Sequence, residues 1–265
     1  VKVQDIDAYA RRDRERPARD AKVGMLPPKL AQRIINLAAG ELPSEKLQNI
    51  CDIPAGKPVP RTLLNKTLLD PFCGTGVVLQ EALLMGYDVM GADIDQRMVD
   101  YSNKNLEWLR KEYNWELPGM GTQLGDATNA EWKTTRFTYD AQGEATDAEL
   151  VPLTPDFIAC ETYLGRPFTT VPSAEILNQT ISECNLIIKK FLQNAHKQLA
   201  PGARLCIAVP AWQIGKNPLK HLPLVDQIED LGYNRVSFEH IGNNPLVYQR
   251  PDQIVARELV VITRK

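Results

Sequence analysis

Apolar and polar positions follow two different periods along most of this chain. Short continuous apolar runs, typical of buried strands, are separated by longer stretches in which apolar residues recur with the period of a helix. The predicted strands are 67–70, 88–92, 157–161, 204–210, 235–240 and 258–263. The predicted helices are 27–38, 77–85, 96–113, 173–199 and 219–231.

Strands that alternate with helices of this length predict an α/β fold, with a parallel sheet covered by helices on both faces. The final two predicted strands have no helix between them, which indicates that the sheet ends in antiparallel pairing. Residues 1–62 hold a polar, charge-mixed start, one helix and a proline-rich loop, and we predict that they form an N-terminal extension. Residues 63–265 are the predicted main domain, with a hairpin insertion at 128–155.

Composition excludes several classes of protein. The 265 residues are 43% hydrophobic, enough for a real core, and the formal net charge of −2 gives no overall positive field for nucleic acid. The five cysteines form no CxxC pair, so we expect no metal site and a reducing, cytoplasmic location. No apolar run approaches the roughly 20 residues that span a bilayer, so we expect no membrane partner. Because the sequence begins with Val1, a fragment that lacks an N-terminal domain is a further prediction.

A glycine turn directly follows the first predicted strand, in the segment LLDPFCGTG at 68–76. In sheets of this kind, ligands bind beyond the carboxyl ends of the strands, and a glycine turn lets the backbone approach them closely. The segment lacks the third glycine of the dinucleotide motif and the Gly-Lys-Ser/Thr ending of a P-loop. Its acidic residue, Asp70, instead suits a ligand that carries an ammonium group.

Two further carboxylates follow the next strands. Asp93, in GADID, ends the second predicted strand, where a carboxylate can accept hydrogen bonds from both ribose hydroxyls. Asp126, in GDAT, can accept one from an adenine amino group. Each carboxylate alone has an ordinary alternative as a turn or cap residue. Together, ammonium, ribose and adenine describe S-adenosylmethionine, and the order and spacing of the three favour that cofactor.

These segments resemble those of a known family. DPFCGTG followed by GADID resembles the amino-methyltransferases that use S-adenosylmethionine. GMLPPKLAQRIINLA followed by LLDPFCGTGVVLQEALLMG resembles the tRNA guanine-N2 methyltransferases that modify guanosine ten, which usually carry an N-terminal THUMP-containing region. The resemblance covers about residues 9–210. It implies a Rossmann-like class I methyltransferase with a seven-stranded, mostly parallel sheet, an antiparallel last strand and helices on both faces.

The same resemblance implies roles for individual residues. The glycine turn would line the methionine half of the cofactor, Asp93 would hold the ribose and Asp126 the adenine amino group, while the stretch 24–27 would close over the methionine end. The predicted cofactor-binding residues are Met25, Pro27, Asp70, Phe72, Cys73, Gly74, Thr75, Gly76, Asp93, Ile94, Asp126 and Ala127.

The predicted catalytic segment departs from the pattern of that family. The family places Asn/Asp-Pro-Pro-Tyr/Phe at the end of the fourth strand, where the polar groups accept hydrogens of an exocyclic amine and the aromatic ring stacks on an unstacked base. Here Cys160, Glu161, Thr162 and Tyr163 occupy that place, and we predict them as the catalytic residues. The Glu161 carboxylate would compensate for the missing side chain. The alternatives are a buried Cys160 and a Tyr163 that packs on the sheet edge.

Candidate nucleic-acid contacts lie in two places. Residues 9–22 are rich in arginine, but Asp13, Glu15 and Asp20 interleave with the basic residues, which is typical of a solvated, salt-bridged segment. Arg166 follows Tyr163 closely and is the better candidate, because a phosphate of the target nucleotide should lie near the reacting base.

The sequence therefore predicts an S-adenosylmethionine-dependent methyltransferase that acts on an exocyclic amine of a nucleobase, with guanine N2 in tRNA as the first choice. Two alternatives stay open. A DNA amino-methyltransferase shares both motifs but needs a target-recognition region, for which only 128–155 is available. A catalytically impaired homologue that binds the cofactor would account for the CETY segment at 160–163.

Overall fold

The computed structural model of the chain describes residues 5–20, 26–42, 64–113, 120–140, 142, 144–215, 218–240, 245–251 and 253–265. The helices are α1 (Ile6–Arg14), α2 (Pro28–Ala39), α3 (Val77–Leu84), α4 (Gln96–Glu112) and α5 (Ala174–Gln198), with a 3-10 helix at Pro223–Leu231. The strands are β1 (Thr67–Asp70), β2 (Asp88–Asp93), β3 (Met120–Leu124), β4 (Lys133–Tyr139), β5 (Ala145–Pro152), β6 (Phe157–Glu161), β7 (Arg204–Trp212), β8 (Tyr233–Arg235), β9 (Leu246–Tyr248) and β10 (Val255–Arg264).

One large sheet organises the chain in the order β3-β2-β1-β6-β7-β10-β8. The first five of these strands pair in parallel, whereas β10 runs antiparallel to both β7 and β8. The prediction of a mostly parallel sheet with an antiparallel last strand is therefore confirmed. The strand order reverses between β1 and β6, and a reversal of this kind opens a ligand-binding crevice at the carboxyl ends of the strands.

The number of strands differs from the predicted seven. Over the described residues the sheet has eight, because β9 pairs with 257–259 of β10, beside β8, which pairs with 262–264. The predicted strand at 235–240 is also wrong. Only Tyr233–Arg235 forms β8, since β9 occupies the edge of β10 that a longer strand would need.

The sequence pattern does not predict β3. Its segment, Met120-Gly-Thr-Gln-Leu124, has little apolar character, which suits a partly exposed strand at the edge of the sheet. Its parallel pairing with β2 sets Leu124 opposite Asp93, and the Gly125 amide then donates to the Asp93 carbonyl at 2.9 Å. This register brings the loop that contains Asp126 to the end of β2.

Helices cover both faces of the sheet, as predicted. On one face, α5 and the 3-10 helix bury a core that includes Phe191. On the other, α2, α3 and α4 bury a second core that includes Ile34 and Leu79. Cys160 belongs to the first core and Ala159 to the second, because successive residues of a strand point to opposite faces.

A separate two-stranded antiparallel sheet, formed by β4 and β5, lies within the predicted insertion. Trp132, directly before β4, is fully buried in the first core and fixes the base of this hairpin. Most side chains of the two strands are exposed. The predicted domain boundary at residue 62 stays a prediction. Helix α2 lies before that boundary, yet its side chains share the second core with strands of the sheet.

The first helix is joined to α3 by a buried ion pair. Arg12 donates from Nε to Glu81 Oε1 at 2.6 Å and from Nη2 to Oε2 at 3.1 Å, while Gln32 Nε2 donates to Oε2 at 2.7 Å. The side chains of Arg12 and Glu81 are 7% and 1% exposed. Arg16 is also buried, and Arg11 pairs with Glu112. These contacts favour a salt-bridged segment over an RNA contact here.

We expect Arg12→Ala to lower the free energy of unfolding by about 3–5 kcal/mol, because it leaves Glu81 buried without its counter-ion. Urea unfolding followed by circular dichroism measures this loss. Arg11→Ala is the matched control, since it removes an exposed ion pair with Glu112 and should have a much smaller effect. Equal losses in the two variants would contradict the assignment of the buried pair.

Candidate functional site

A cavity of about 870 Å³ lies where the ends of β1, β2 and β6 meet the loop after β3. Its volume is within the range of pockets that hold small molecules and cofactors. Asp70, Asp93 and Asp126 all line it. The structure thus places the three carboxylates singled out by the sequence around one cavity, and not around separate ones.

Hydrogen bonds from two neighbouring segments fix the glycine turn at the cavity wall. Asp70 Oδ1 accepts from the Phe72 amide at 3.1 Å, and Asp93 Oδ2 accepts from the Gly74 amide at 2.9 Å. Ser102 Oγ donates to the Gly74 carbonyl at 2.8 Å. Gly74 has φ +50°, and a Cβ built there would have the Phe72 carbonyl, at 4.0 Å, as its nearest neighbour. The turn therefore leaves room for a ligand directly beside its backbone.

Burial of the carboxylates and the repulsion between them determine which ligand charge this wall favours. Asp70 is 1% exposed, and burial raises its pKa well above the usual range, with further upward contributions from the charges of Asp93 and Glu161. Burial also raises the pKa of Asp93, against the hydrogen bonds that its carboxylate accepts from the Asp95 and Gly74 amides. A positively charged ligand would relieve the repulsion among these carboxylates.

The loop after β3 is held by α5. Asp126 Oδ1 accepts from the Thr128 amide at 2.8 Å. Asn194 Nδ2 donates to the carbonyls of Ala127 and Ala130, both at 3.0 Å. Ile94, which is 71% exposed, lines the same cavity. This part of the wall combines an apolar side chain with a polar loop of fixed position, as a nucleoside requires.

Most of the predicted cofactor-binding residues line the cavity. They are Asp70, Phe72, Cys73, Gly74, Thr75, Asp93, Ile94, Asp126 and Ala127. Gly76 is not among these lining residues, and its role in cofactor binding stays a prediction. It precedes α3 with φ +79°, and a Cβ there would lie 2.9 Å from Ser102 Oγ, so this glycine allows α3 to pack against α4. Pro27 caps α2 and Leu26 lines the cavity instead, whereas Met25 lies outside the described residues.

Three of the four predicted catalytic residues line the cavity, and the fourth is buried in the core. Glu161, Thr162 and Tyr163 line the cavity, and Tyr163 is 38% exposed. Thr162 Oγ1 donates to the Ala208 carbonyl at 3.0 Å, which ties that side chain to β7. Cys160 is fully buried in the first core and does not line the cavity, and burial raises the pKa of its thiol well above the usual range. Its prediction as a catalytic residue is corrected in favour of the buried alternative.

Sequence reasoning missed several residues of the cavity wall. Arg257, on β10, is the most important, because its Nε donates to Glu161 Oε1 in a buried ion pair. Asp20, from the segment after α1, also lines the cavity and pairs with Arg97 at 3.1 Å. A signal for Arg257 does exist, since Arg-Glu at 257–258 interrupts an otherwise apolar strand. A charged pair inside such a strand indicates a buried partner.

The described residues contain no group of three or more histidine, cysteine, aspartate or glutamate side chains placed to hold a metal ion. None of the helices in the described part of the chain is both long and apolar enough to cross a bilayer.

Comparison with known proteins shows which proteins this chain is similar to. Residues 61–129 match the family model UPF0020, described as an RMKL-like methyltransferase domain. This part of the chain is therefore similar to a methyltransferase domain. Sequence similarity to proteins named as tRNA guanine-N2 methyltransferases extends over a longer stretch.

Individual relatives support this relationship over different lengths. The tRNA (guanine(10)-N2)-dimethyltransferase of Methanothermobacter thermautotrophicus is 27% identical over 189 residues, which are 71% of this chain and 40% of that protein. The enzyme of the same name from Pyrococcus abyssi is 32% identical over 116 residues, 44% of this chain and 26% of that protein. This chain therefore spans less than half the length of these curated relatives.

A solved structure confirms the fold. The crystal structure of TrmN from Thermus thermophilus superimposes with a TM-score of 0.51 and 16% sequence identity, and the match covers 96% of this chain and 53% of that one. At this identity the likeness concerns the fold alone. The α/β, Rossmann-like architecture predicted from the alternation of strands and helices is thereby confirmed.

Proposed function

We propose that this chain transfers a methyl group from S-adenosylmethionine to the 2-amino group of a guanine in tRNA. The observation that carries the proposal is a single cavity lined both by Asp70, Asp93 and Asp126, which would hold the cofactor, and by Glu161 and Tyr163, which we assign as its acceptor end. Such a cavity can hold a cationic nucleoside and an acceptor base together. The named relatives that modify guanine N2 support the choice of acceptor.

The residues of the wall fit this cofactor in their chemistry. Asp70 would accept the ammonium group, Asp93 the two ribose hydroxyls and Asp126 the adenine amino group, while the backbone of Gly74 would lie against the methionine portion. The cofactor supplies an electrophilic methyl group on a sulfonium sulfur. The carboxylates of the wall would hold and orient this cation, because a positive partner offsets the burial and repulsion that raise the pKa values of Asp70 and Asp93.

At the other end of the cavity, the chain must prepare a weak nucleophile. The lone pair of an exocyclic amine is delocalised into the base, so an acceptor for its hydrogens localises the pair on nitrogen. Glu161 would accept such a hydrogen, and Tyr163 would stack on the base once it has left its own stack. Catalysis would consist mainly of positioning, with no covalent enzyme intermediate.

Two basic side chains of the cavity wall are candidates for contact with the target strand. Arg166 and Lys190 both line the cavity, and both are exposed. Arg166 lies 3.9 Å from Glu183, a distance that leaves its guanidinium free to exchange this partner for a phosphate. We propose that these two residues contact the phosphates that flank the target nucleotide.

Mass spectrometry of tRNA nucleosides tests the proposed function. Unmodified tRNA incubated with the chain and S-adenosylmethionine should gain N2-methylguanosine or N2,N2-dimethylguanosine. Duplex DNA treated in parallel should gain no methylated base. The β4–β5 hairpin, which would have to read DNA sequence, carries Asp140, Glu144, Asp147 and Glu149 against Lys133 and Arg136. Cofactor binding without transfer to any nucleic acid would instead support the catalytically impaired alternative.

We expect Asp93→Ala to weaken binding of S-adenosylmethionine about 10–100-fold, because the ribose hydroxyls lose a charged acceptor. Isothermal titration calorimetry with the cofactor and with 5′-methylthioadenosine should show a loss for both ligands, since both carry the ribose. Asp100→Ala, on the exposed face of α4, serves as the control and should bind both normally. Unchanged affinity in Asp93→Ala would remove the ribose assignment.

The remaining parts of the proposal follow from the same relatives. We propose tRNA as the macromolecular partner and the cytoplasm as the location. An RNA-binding domain beyond this sequence stays a prediction.

A further inference from the structure

The acceptor end of the cavity contains a buried ion pair that connects two distant strands. Glu161 ends β6 and Arg257 lies near the start of β10, 96 positions later in the chain. Their side chains are 16% and 7% exposed, and both line the cavity. The family resemblance places an Asn or Asp followed by two prolines in this region, and Cys160 there is buried in the first core.

The pair retains hydrogen-bonding capacity that the fold does not use. Arg257 donates from Nε to Glu161 Oε1 and from Nη1 to Gln253 Oε1 at 3.4 Å. Within the described residues, no other hydrogen bond involves Glu161 Oε2 or Arg257 Nη2. A carboxylate has about four acceptor positions and a guanidinium has five donors. The cavity wall therefore offers a group of acceptors next to a group of donors.

This arrangement matches one nucleobase better than the others. The Watson–Crick edge of guanine has two adjacent donors, N1–H and the 2-amino group, followed by the O6 acceptor. Adenine presents an amino group beside the N1 acceptor, which a carboxylate would repel. Cytosine and uracil each have at most one donor on that edge. Enzymes that act on an extruded base commonly recognise it through these atoms.

We propose that Glu161 and Arg257 form a recognition pair that selects guanine at this site. The carboxylate accepts from N1–H and from the 2-amino group, and the guanidinium donates to O6. The inference rests on the proposed function and adds to it the residues that decide which base is methylated. The same contact that selects the base holds the amine, so selection and positioning of the nucleophile depend on one side chain.

A purely structural role explains less of the geometry. The sheet already connects β6 to β10 through β7. An ion pair that served only to join these strands would not need to lie at the cavity and could be buried in either core. This one instead lies at the cavity, beside Tyr163 and with unused donors and acceptors. Arg suits the role because its planar guanidinium offers several donors in a fixed arrangement, which a lysine ammonium does not.

The test measures base preference directly, without requiring methyl transfer. Guanosine, inosine and adenosine monophosphates are titrated into the chain saturated with S-adenosylhomocysteine, and binding is followed by calorimetry. We expect guanosine monophosphate to bind about tenfold more tightly than adenosine monophosphate, with inosine monophosphate between them because it lacks one donor. Absence of guanosine monophosphate binding at millimolar concentration, or an equal affinity for the adenosine nucleotide, overturns the inference.

Variants of the pair separate recognition from folding. Glu161→Gln keeps an oxygen for Arg257 Nε but replaces one acceptor by a donor, and it should abolish the guanine preference in a chain that still folds and still binds S-adenosylhomocysteine. Arg257→Lys keeps the charge beside Glu161 and should reduce the preference. Glu149→Gln, an exposed carboxylate on β5, is the matched control and should behave like the parent chain. A preference that persists in folded Glu161→Gln overturns the inference.

Failure of the inference can be told apart from failure of the proposed function. N2-methylguanosine formed in tRNA at the same rate by the parent chain and by Glu161→Gln would leave the proposed function standing and remove the recognition pair. A guanine preference that depends on Glu161, in a chain that methylates no tRNA, would retain the recognition pair and remove the tRNA assignment.

Discussion

Asp70→Asn is expected to weaken binding of S-adenosylmethionine about 10–100-fold, because a hydrogen bond to a charged group contributes about 1.5–3 kcal/mol. Asparagine has the same shape and keeps an oxygen for the Phe72 amide, so the glycine turn should retain its conformation. The loss should be specific to the amino-acid end of the ligand. 5′-Methylthioadenosine, which lacks the ammonium group, should bind the variant and the parent chain equally.

The same substitution should not destabilise the protein without its cofactor. Burial and the charges of Asp93 and Glu161 raise the pKa of Asp70, so its ionised form is unfavourable in the folded chain. A carboxyl group with a raised pKa stabilises the fold below its pKa in the unfolded chain and loses that contribution as pH rises through its pKa in the folded state. At neutral pH, Asp70→Asn should therefore melt at the same temperature as the parent chain or at a higher one.

The pH dependence of binding has the opposite sign and provides a second test. The ligand cation needs an ionised Asp70, so cofactor affinity of the parent chain should fall as pH is lowered through the raised pKa of this group. In Asp70→Asn this decrease should be smaller. Calorimetry across mildly acidic to neutral pH would measure both curves. Parallel curves, or a variant that binds the full cofactor normally, would show that Asp70 does not hold the ammonium group.

The cofactor end of the site could be predicted because it depends on local sequence and on a general property of parallel sheets. Asp70 and Asp93 each end a short apolar strand, and parallel strands bring their carboxyl ends to one edge. Asp126 also lines the cavity, although the sequence pattern does not predict β3, the strand that leads to it. An edge strand is held in the sheet by backbone hydrogen bonds to a neighbouring strand, so its own sequence need not be apolar.

The acceptor end was harder to predict for two physical reasons. Side chains of a strand alternate between faces, so a shift of one position decides whether Cys160 or Glu161 reaches the cavity. The family pattern suggested Cys160 as the aligned residue, whereas the structure places it in the first core. Arg257 is a different case, because it meets Glu161 only through the pairing of β6, β7 and β10. No local pattern in the sequence predicts that strand pairing.

Arg257→Ala is expected to lower the free energy of unfolding by about 3–5 kcal/mol, since it leaves the Glu161 carboxylate buried and unpaired. Burial already raises the pKa of Glu161, and Arg257 opposes that rise. Without Arg257 the pKa should rise further, so the variant should lose more stability as pH increases and approach the parent chain in mildly acidic solution.

Urea unfolding at about pH 5 and about pH 8 measures this difference. The double variant Glu161→Gln with Arg257→Ala supplies the matched comparison, because a neutral amide at 161 has no charge to leave unpaired. If the buried charge is the cause, Arg257→Ala should cost much less in the Glu161→Gln background, and the cost should not depend on pH. A loss of equal size in both backgrounds would instead mean that Arg257 stabilises β10 through its packing, and that Glu161 holds its position at the cavity without help from this arginine.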